Sequence, residues 1–137
     1  GDFGVDYIQR NSRETSIATN MAFFSCAMQH ATKIESCLEF GSNIGLNLIA
    51  LNRLFPSLQL AAIEINSEAV SVLNKWIQNL GGKVHHCSIL DFEPEVTVDL
   101  VLVKGGLIHI APEQLPDVYD RLYKSSRRSI FIAEYDN

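Results

Sequence analysis

Five short apolar runs are interspersed with four segments whose apolar residues recur every three or four positions. This pattern constrains the fold more than any other feature of the chain. The runs are KIESCLEF, LQLAAIEI, KVHHCSI, VDLVLVK and SIFIAEY. Before the first run, and after the first, second and fourth, the spacing predicts helices. The first begins at Arg13 and shows a face of Ile17, Met21, Phe24 and Met28, after a front segment, GDFGVDYIQRNS, that reads as loop. The second follows Gly45 and stops at Pro56, which cannot continue a helix. The third is capped by Asn66 or Ser67, buries Ala69, Val70, Leu73, Ile77 and Leu80, and ends at Gly81 and Gly82. The fourth starts around Pro112 and Pro116, with Leu115, Val118, Tyr119, Leu122 and Tyr123 inward. Strands that alternate with helices are joined by right-handed crossovers, which predicts an open, parallel α/β sandwich. Near-continuous apolar strands fit a sheet covered on both faces. A single domain over 1–137 is expected, with a loop and helix over 1–33 and the α/β core over 34–137.

In such sheets ligands sit beyond the carboxyl ends of the strands, where strand order reverses. The end of the first run is EFGSNIGLNL, with Gly41 and Gly45 bracketing Ser42, Asn43 and Ile44. A dinucleotide turn reads G-x-G-x-x-G, and its second glycine lets the backbone touch a pyrophosphate. That glycine is missing here, which leaves a nicotinamide dinucleotide as a weak alternative. S-adenosylmethionine also needs close backbone approach but has no phosphate to cradle. Glu39 ahead of the turn then has a use, in ordering it and attracting an ammonium group. Asn43 tolerates left-handed backbone geometry. Glu64, about 20 residues past the turn, stands where a ribose diol asks for a carboxylate. Asp91 is placed to accept from an adenine amino group, with Ile65 and Phe92 on the ring faces.

Charge and cysteine content exclude several classes. The formal net charge is −5, against the clustered Lys and Arg that a nucleic-acid surface needs, so a small-molecule partner is expected. Cys26, Cys37 and Cys87 are odd in number and lack CxxC spacing, which suits reduced thiols in a core and a cytoplasmic protein. No apolar run reaches the roughly 18 residues of a membrane span, and no signal peptide is visible. The chain opens on Gly1 rather than Met, so processing or truncation at the front is expected. Adjacent strand residues face opposite ways, so His85, His86 and Cys87 do not converge on a metal, and none is expected. Trp76 is expected to pack. Oligomeric state has no signature in the sequence.

EFGSNIGLNL, IEIN, LVLVKGGLIHI and LYKSSRRSIFIAEYDN, with FGVDYIQRN at the front, resemble the class I S-adenosylmethionine-dependent methyltransferases. More narrowly they resemble the methylases associated with pseudaminic acid biosynthesis. The resemblance implies a Rossmann-like sheet of order 3-2-1-4-5 and methyl transfer from S-adenosylmethionine to a small molecule, with a sugar or nucleotide sugar as the narrow expectation. Carried over by motif, Glu39, Gly41, Ser42, Asn43 and Gly45 form the cofactor turn. Glu64 holds the ribose, Ile65 and Asp91 the adenine, and Lys104 and Gly105 the floor. Tyr7 and Arg10 fold over the cofactor, with Arg10 suited to its carboxylate. Such enzymes end on two further antiparallel edge strands, whereas this chain stops after IAEYDN, so a fragment or a non-catalytic binding module is the alternative expectation.

Methyl transfer is an in-line displacement in which the protein mainly positions the partners, and a base is needed for an alcohol or protonated amine. His109, Glu134 and Tyr135, near strand ends, are the candidates. His109 equally suits a structural hydrogen bond, and Glu134 and Tyr135 equally suit loop anchoring. Lys104-Gly105-Gly106 follows the fourth run where an amino-methylating enzyme of DNA bases carries Asn/Asp-Pro-Pro-Tyr, which disfavours that activity.

Overall fold

The computed structural model describes residues 2–29 and 33–134, with side chains from Gln9 onward. Five strands form one sheet of order β3-β2-β1-β4-β5, the order expected. They are β1 (Ser36–Phe40), β2 (Gln59–Glu64), β3 (Lys83–His86), β4 (Val98–Lys104) and β5 (Ser126–Ala133), and every neighbouring pair is parallel. Strand order reverses between β1 and β4, so their carboxyl ends open a crevice there.

Alternation along each strand sorts two cores. Cys37, Leu60, Ala62, Leu100 and Leu102 meet Ile17, Phe24, Leu48, Leu51, Leu73 and Ile77 on one face. Those side chains come from α1 (Asp2–Ala27), α2 (Leu46–Leu54), α3 (Ser67–Asn74) and the turn just past α3. On the other face Leu38, Phe40, Ile63, Val101 and Val103 pack against Val118 and Leu122 of α4 (Leu115–Ser125). The result is a three-layer sandwich. Glu39 shares its face with Cys37, toward α1 and α2.

Several expectations need correction. Helix α1 starts at Asp2, not Arg13, so the front segment is not a loop. One Gly costs about 1 kcal/mol of helix propensity and each Asp or Asn less than that, too little to break a helix anchored by packing further on. The anchoring face is the one expected, with Ile17 and Phe24 buried and Met21 and Met28 partly so. Helix α3 ends at Asn74, and the chain tightens into a 3-10 turn at Gln78–Leu80 that leaves Leu80 exposed. Tyr119 and Tyr123 are exposed as well, because Val118 and Leu122, with partly buried Leu115, supply the stripe that α4 lays on the sheet. Cys26 is exposed, unlike buried Cys37.

At the opposite end of the sheet from the crevice, buried Asp99 ties three segments together. Its Oδ2 accepts from the Glu35 backbone N–H (2.9 Å) and its Oδ1 from Arg127 Nε (2.9 Å). Its own N–H donates to Ser36 Oγ (2.9 Å). This latch fixes the start of β1, β4 and β5 relative to one another.

Candidate functional site

An open cleft of about 1050 Å³ lies at the carboxyl ends of the strands. Its centre is the turn between β1 and α2. Gly41 (φ 72°), Asn43 (φ 52°) and Gly45 (φ 91°) take left-handed geometry within five residues. Two N–H groups, from Gly41 and Ser42, donate to the same acceptor, Ile63 O on β2 (2.9 and 3.1 Å). Gly45 does not face the cleft. A Cβ there would sit 2.5 Å from Trp76 Cζ2 and 2.6 Å from Leu73 Cδ2, so the glycine lets the turn seat on α3 and the residues after it. Trp76 also donates from Nε1 to Ile44 O (3.3 Å), so it packs, as expected, and braces the turn.

Glu64 ends β2 and reaches back to that turn. Its Oε1 accepts from the Asn43 N–H (2.8 Å) and its Oε2 from the Asn66 N–H (2.8 Å). Each carboxylate oxygen keeps further acceptor capacity. Asn66 in turn caps α3, its Oδ1 accepting from the Ala69 N–H (2.9 Å). Ile65 beside it is 64% exposed and lines the cleft, a free apolar surface. His86 Nε2 lies 3.1 Å from Ile65 O and steadies that segment.

Glu39 lies fully buried beneath the turn. Asn47, on the first turn of α2, donates from Nδ2 to Glu39 Oε2 (2.8 Å). Burial pushes the Glu39 carboxyl up to about 8. Asn47 and the Lys104 ammonium pull the other way, and the Glu64 charge adds to the rise. Three buried polar atoms cluster here without a hydrogen-bond partner among the described residues: Glu39 Oε1, Ser42 Oγ and Asn47 Oδ1. Buried polar atoms are paired in nearly all folded proteins, so such a cluster marks a place where a ligand or water completes the bonding.

The far wall comes from β4 and the loop after it. Lys104, half-buried, donates to Asn20 Oδ1 of α1 (3.5 Å) and lies 5.6 Å from the centroid of the Phe23 ring. Gly105, Gly106 and His109 line the cleft, His109 on a short 3-10 turn, Leu107–His109. Glu134, just past β5, accepts from the Leu107 N–H (3.1 Å) and so anchors the loop that carries His109.

The structure thus gathers Gly41, Ser42, Asn43, Glu64, Ile65, Lys104, Gly105 and His109 around one cleft, with Glu39 under its floor. Other expected residues are not gathered. Asp91 is exposed and away from the cleft lining, because Ser88–Asp91 forms a tight turn, the Asp91 N–H donating to Ser88 O (3.0 Å). Phe92 is then driven inward, where it packs edge-on against Phe40 (5.8 Å) and His85 (5.1 Å). Ser88 and Ile89 line the cleft in their place. Arg10 is exposed outside the lining, five residues and so roughly 7.5 Å along α1 from the nearest lining residue, Thr15. The side chain of Tyr7 and the whole of Tyr135 lie outside the described residues.

Sequence reasoning missed Asn47 and the α1 stripe of Thr15, Ser16, Thr19 and Asn20 that roofs the cleft. The stripe has a signal in hindsight, since these polar residues recur at helical spacing beside the apolar face.

No protein-family model matches the chain, and no curated protein matches it. Solved structures do. The plantazolicin methyltransferase BpumL, in complex with a pentazolic desmethylPZN analog and SAH, superposes with a TM-score of 0.72 at 20% identity, over 98% of this chain and 52% of that one. Streptomyces venezuelae DesVI gives 0.75 at 13% identity, over 98% and 58%. Coclaurine N-methyltransferase bound to N-methylheliamine and SAH gives 0.71 at 16% identity, over 85% and 35%. The chain spans about half the length of the first two structures. With the parallel 3-2-1-4-5 sheet and the crevice at its switch point, these likenesses establish one thing plainly: the chain has the fold of the class I S-adenosylmethionine-dependent methyltransferases.

Proposed function

We propose that the cleft binds S-adenosylmethionine and that the chain is the cofactor-binding core of a methyltransferase acting on a small molecule. The observation that carries this reading is the pair of carboxylates, Glu39 and Glu64, flanking the turn where a dinucleotide fold lays its diphosphate. Neither carboxyl offers a phosphate a positive partner, and the buried one gains its charge only beside a cation. The pair suits a ribose diol and a cationic amino acid. The orphaned acceptors beneath the turn fit the same ligand, whose ammonium brings donors and no acceptors.

In this reading Glu64 takes the ribose hydroxyls on the lone pairs left free by its two amide donors. Ile65 and Ile89 offer apolar surface to the adenine. Bound there, the cofactor supplies a methyl group activated by a positive sulfur, and the chain's task is orientation. His109 stands on the cleft wall as the base for a hydroxyl or amine acceptor, and Glu134 holds its loop in place. For the acceptor we propose a sugar or nucleotide sugar. The reading is supported by the resemblance of EFGSNIGLNL and LVLVKGGLIHI and by the hydroxyl-bearing stripe on α1, which matches a polyhydroxylated partner. A cytoplasmic setting is proposed on the three free cysteines. Among the described residues no helix is long and apolar enough to cross a membrane. The acidic balance speaks against nucleic acid as the acceptor.

Calorimetric titration with S-adenosylmethionine and S-adenosylhomocysteine tests the binding, and a radiolabelled methyl-transfer assay over a panel of sugars and nucleotide sugars tests the reaction. Binding of both and transfer to a sugar are expected. No heat from either ligand with folded protein refutes the cofactor reading. Binding with transfer to none of the panel refutes the sugar.

A further inference from the structure

The Asn47 amide joins the buried carboxyl of Glu39 to the cleft. It lines the cleft while its Nδ2 is held by Glu39 Oε2 (2.8 Å), which leaves Oδ1 as a buried acceptor without a partner among the described residues. An amide that donates on one side presents its carbonyl on the other. An ionised Glu39 therefore fixes which end of Asn47 the cleft receives, whereas a protonated one admits either. An ionised Glu39 can only accept, so it takes the NH2 group and leaves the carbonyl for a ligand. A protonated Glu39 can donate to the carbonyl instead, and a half-turn of the amide then offers NH2 to the cleft. The first arrangement receives a cation, and the second repels one.

We propose that Asn47 is the direct receptor for the cationic nitrogen of the ligand, oriented by Glu39 beneath it, and that binding drives one proton from Glu39 into solvent. The inference rests on the adenosyl-cofactor reading above and adds to it a residue and a proton. No covalent bond other than the O–H of Glu39 changes. The ligand ammonium donates to Asn47 Oδ1, the amide NH2 donates to Glu39, and the carboxyl proton leaves for solvent.

The groups facing Glu39 are consistent with a carboxyl poised between its two states. Lys104 at the end of β4 favours the charge, and Glu64 at the end of β2 opposes it. On β1 itself Cys37 is fully buried, its thiol pushed far up by burial and then by the Glu39 charge, and so is neutral. From α2 comes Asn47, and the α1 residues that line the cleft, Thr15, Ser16, Thr19 and Asn20, carry no charge. Full burial is the dominant influence, and it keeps the proton on Glu39 until a positive partner arrives.

Two adenosyl probes separate the claims. S-adenosylhomocysteine carries the amino-acid end, and 5′-methylthioadenosine lacks it. Calorimetry at pH 6.5 in buffers of different ionisation enthalpy is expected to show about one proton released per S-adenosylhomocysteine and none with 5′-methylthioadenosine. With the carboxyl at about 8, S-adenosylhomocysteine binds roughly 50-fold more weakly at pH 6.0 than at pH 8.0, and 5′-methylthioadenosine does not change. In Asn47→Leu the affinity for S-adenosylhomocysteine falls to that of 5′-methylthioadenosine. Should that variant not fold, the Asn47 side-chain NH2 resonances of the wild type decide, since they shift with S-adenosylhomocysteine and stay with 5′-methylthioadenosine. Binding of both probes with no proton released, or an unchanged S-adenosylhomocysteine affinity in folded Asn47→Leu, overturns this inference and leaves the cofactor reading intact. If neither probe binds, both fall.

Discussion

Glu39→Gln isolates what the buried carboxyl does to stability. In the unfolded chain a glutamate ionises near 4.5, and in the fold Glu39 is held up to about 8 by burial. Between those values the folded state keeps a proton that the unfolded state has lost. Stability contributed by the group is then fully present below the unfolded value and drains away as pH rises toward the folded one. The slope is at most about 1.4 kcal/mol per pH unit, which sums to roughly 3 to 5 kcal/mol by pH 8. Glutamine cannot ionise, and its side-chain oxygen still accepts from Asn47. Ligand-free Glu39→Gln is therefore expected to match the wild type near pH 5 and to exceed it by a few kcal/mol at pH 8. Urea unfolding at several pH values reads this directly. With a slope of about 2 kcal/mol per molar urea, the gap at pH 8 is roughly 2 M in midpoint. Shifted groups elsewhere, Asp99 among them, titrate in both proteins and cancel in the difference. A gap that stays constant across this range would refute the claim that Glu39 keeps its proton in the fold.

The turn gives a paired prediction. Gly45→Ala combines left-handed strain with a Cβ driven into Trp76 and Leu73, and is expected to lose about 2–4 kcal/mol; Gly41→Ala, with no atom within 4 Å of its Cβ, suffers the strain alone, about 1–2 kcal/mol. Equal losses in thermal unfolding would remove the argument for Trp76 as the brace. Hydrogen bonds from the Glu35 N–H and Arg127 hold Asp99 below the usual carboxylate range, so the latch stabilises above the ordinary aspartate value and fails as pH falls through the depressed one. Asp99→Asn should flatten the acid limb of the stability curve below about pH 4, and an unchanged acid limb would show the latch to be idle.

Much of the sheet was legible in the sequence because two-sided burial leaves a simple trace. VDLVLVK became β4 with its central five residues buried, and LQLAAIEI became β2 within two residues. Helix ends were less legible, since they depend on contacts far away in sequence. The apolar period past Asn74 continues to Leu80, yet a Cβ on Gly82 would meet Ile77 Cγ1 at 2.5 Å and Leu60 O at 2.9 Å. The chain has to tighten there to bring β3 beside β2, and Leu80 is turned out to solvent. For α4, counting tyrosines as apolar widened a face that the sheet accepts along a single row.

The same contrast runs through the cleft. Glycine spacing and a carboxylate one strand over are local patterns, so the turn and Glu64 could be read from residue order. The surroundings of Asp91 and Phe92 could not, because a tight turn after β3 decides which residue lines the cleft and which enters the core. Asn47 is the instructive omission. A glutamate in a strand buried on both faces is costly unless something answers its polar atoms. Its alternation partner Cys37 fixes the face, and that face is covered by the helix immediately following. The answering residue lies on the first turn of that helix, and asparagine is the amide found there. Asking what satisfies Glu39, before asking what Glu39 binds, narrows the search to the helices on that face and so to residues such as Asn47. It also places the charge that governs the cleft one layer below the surface a ligand touches.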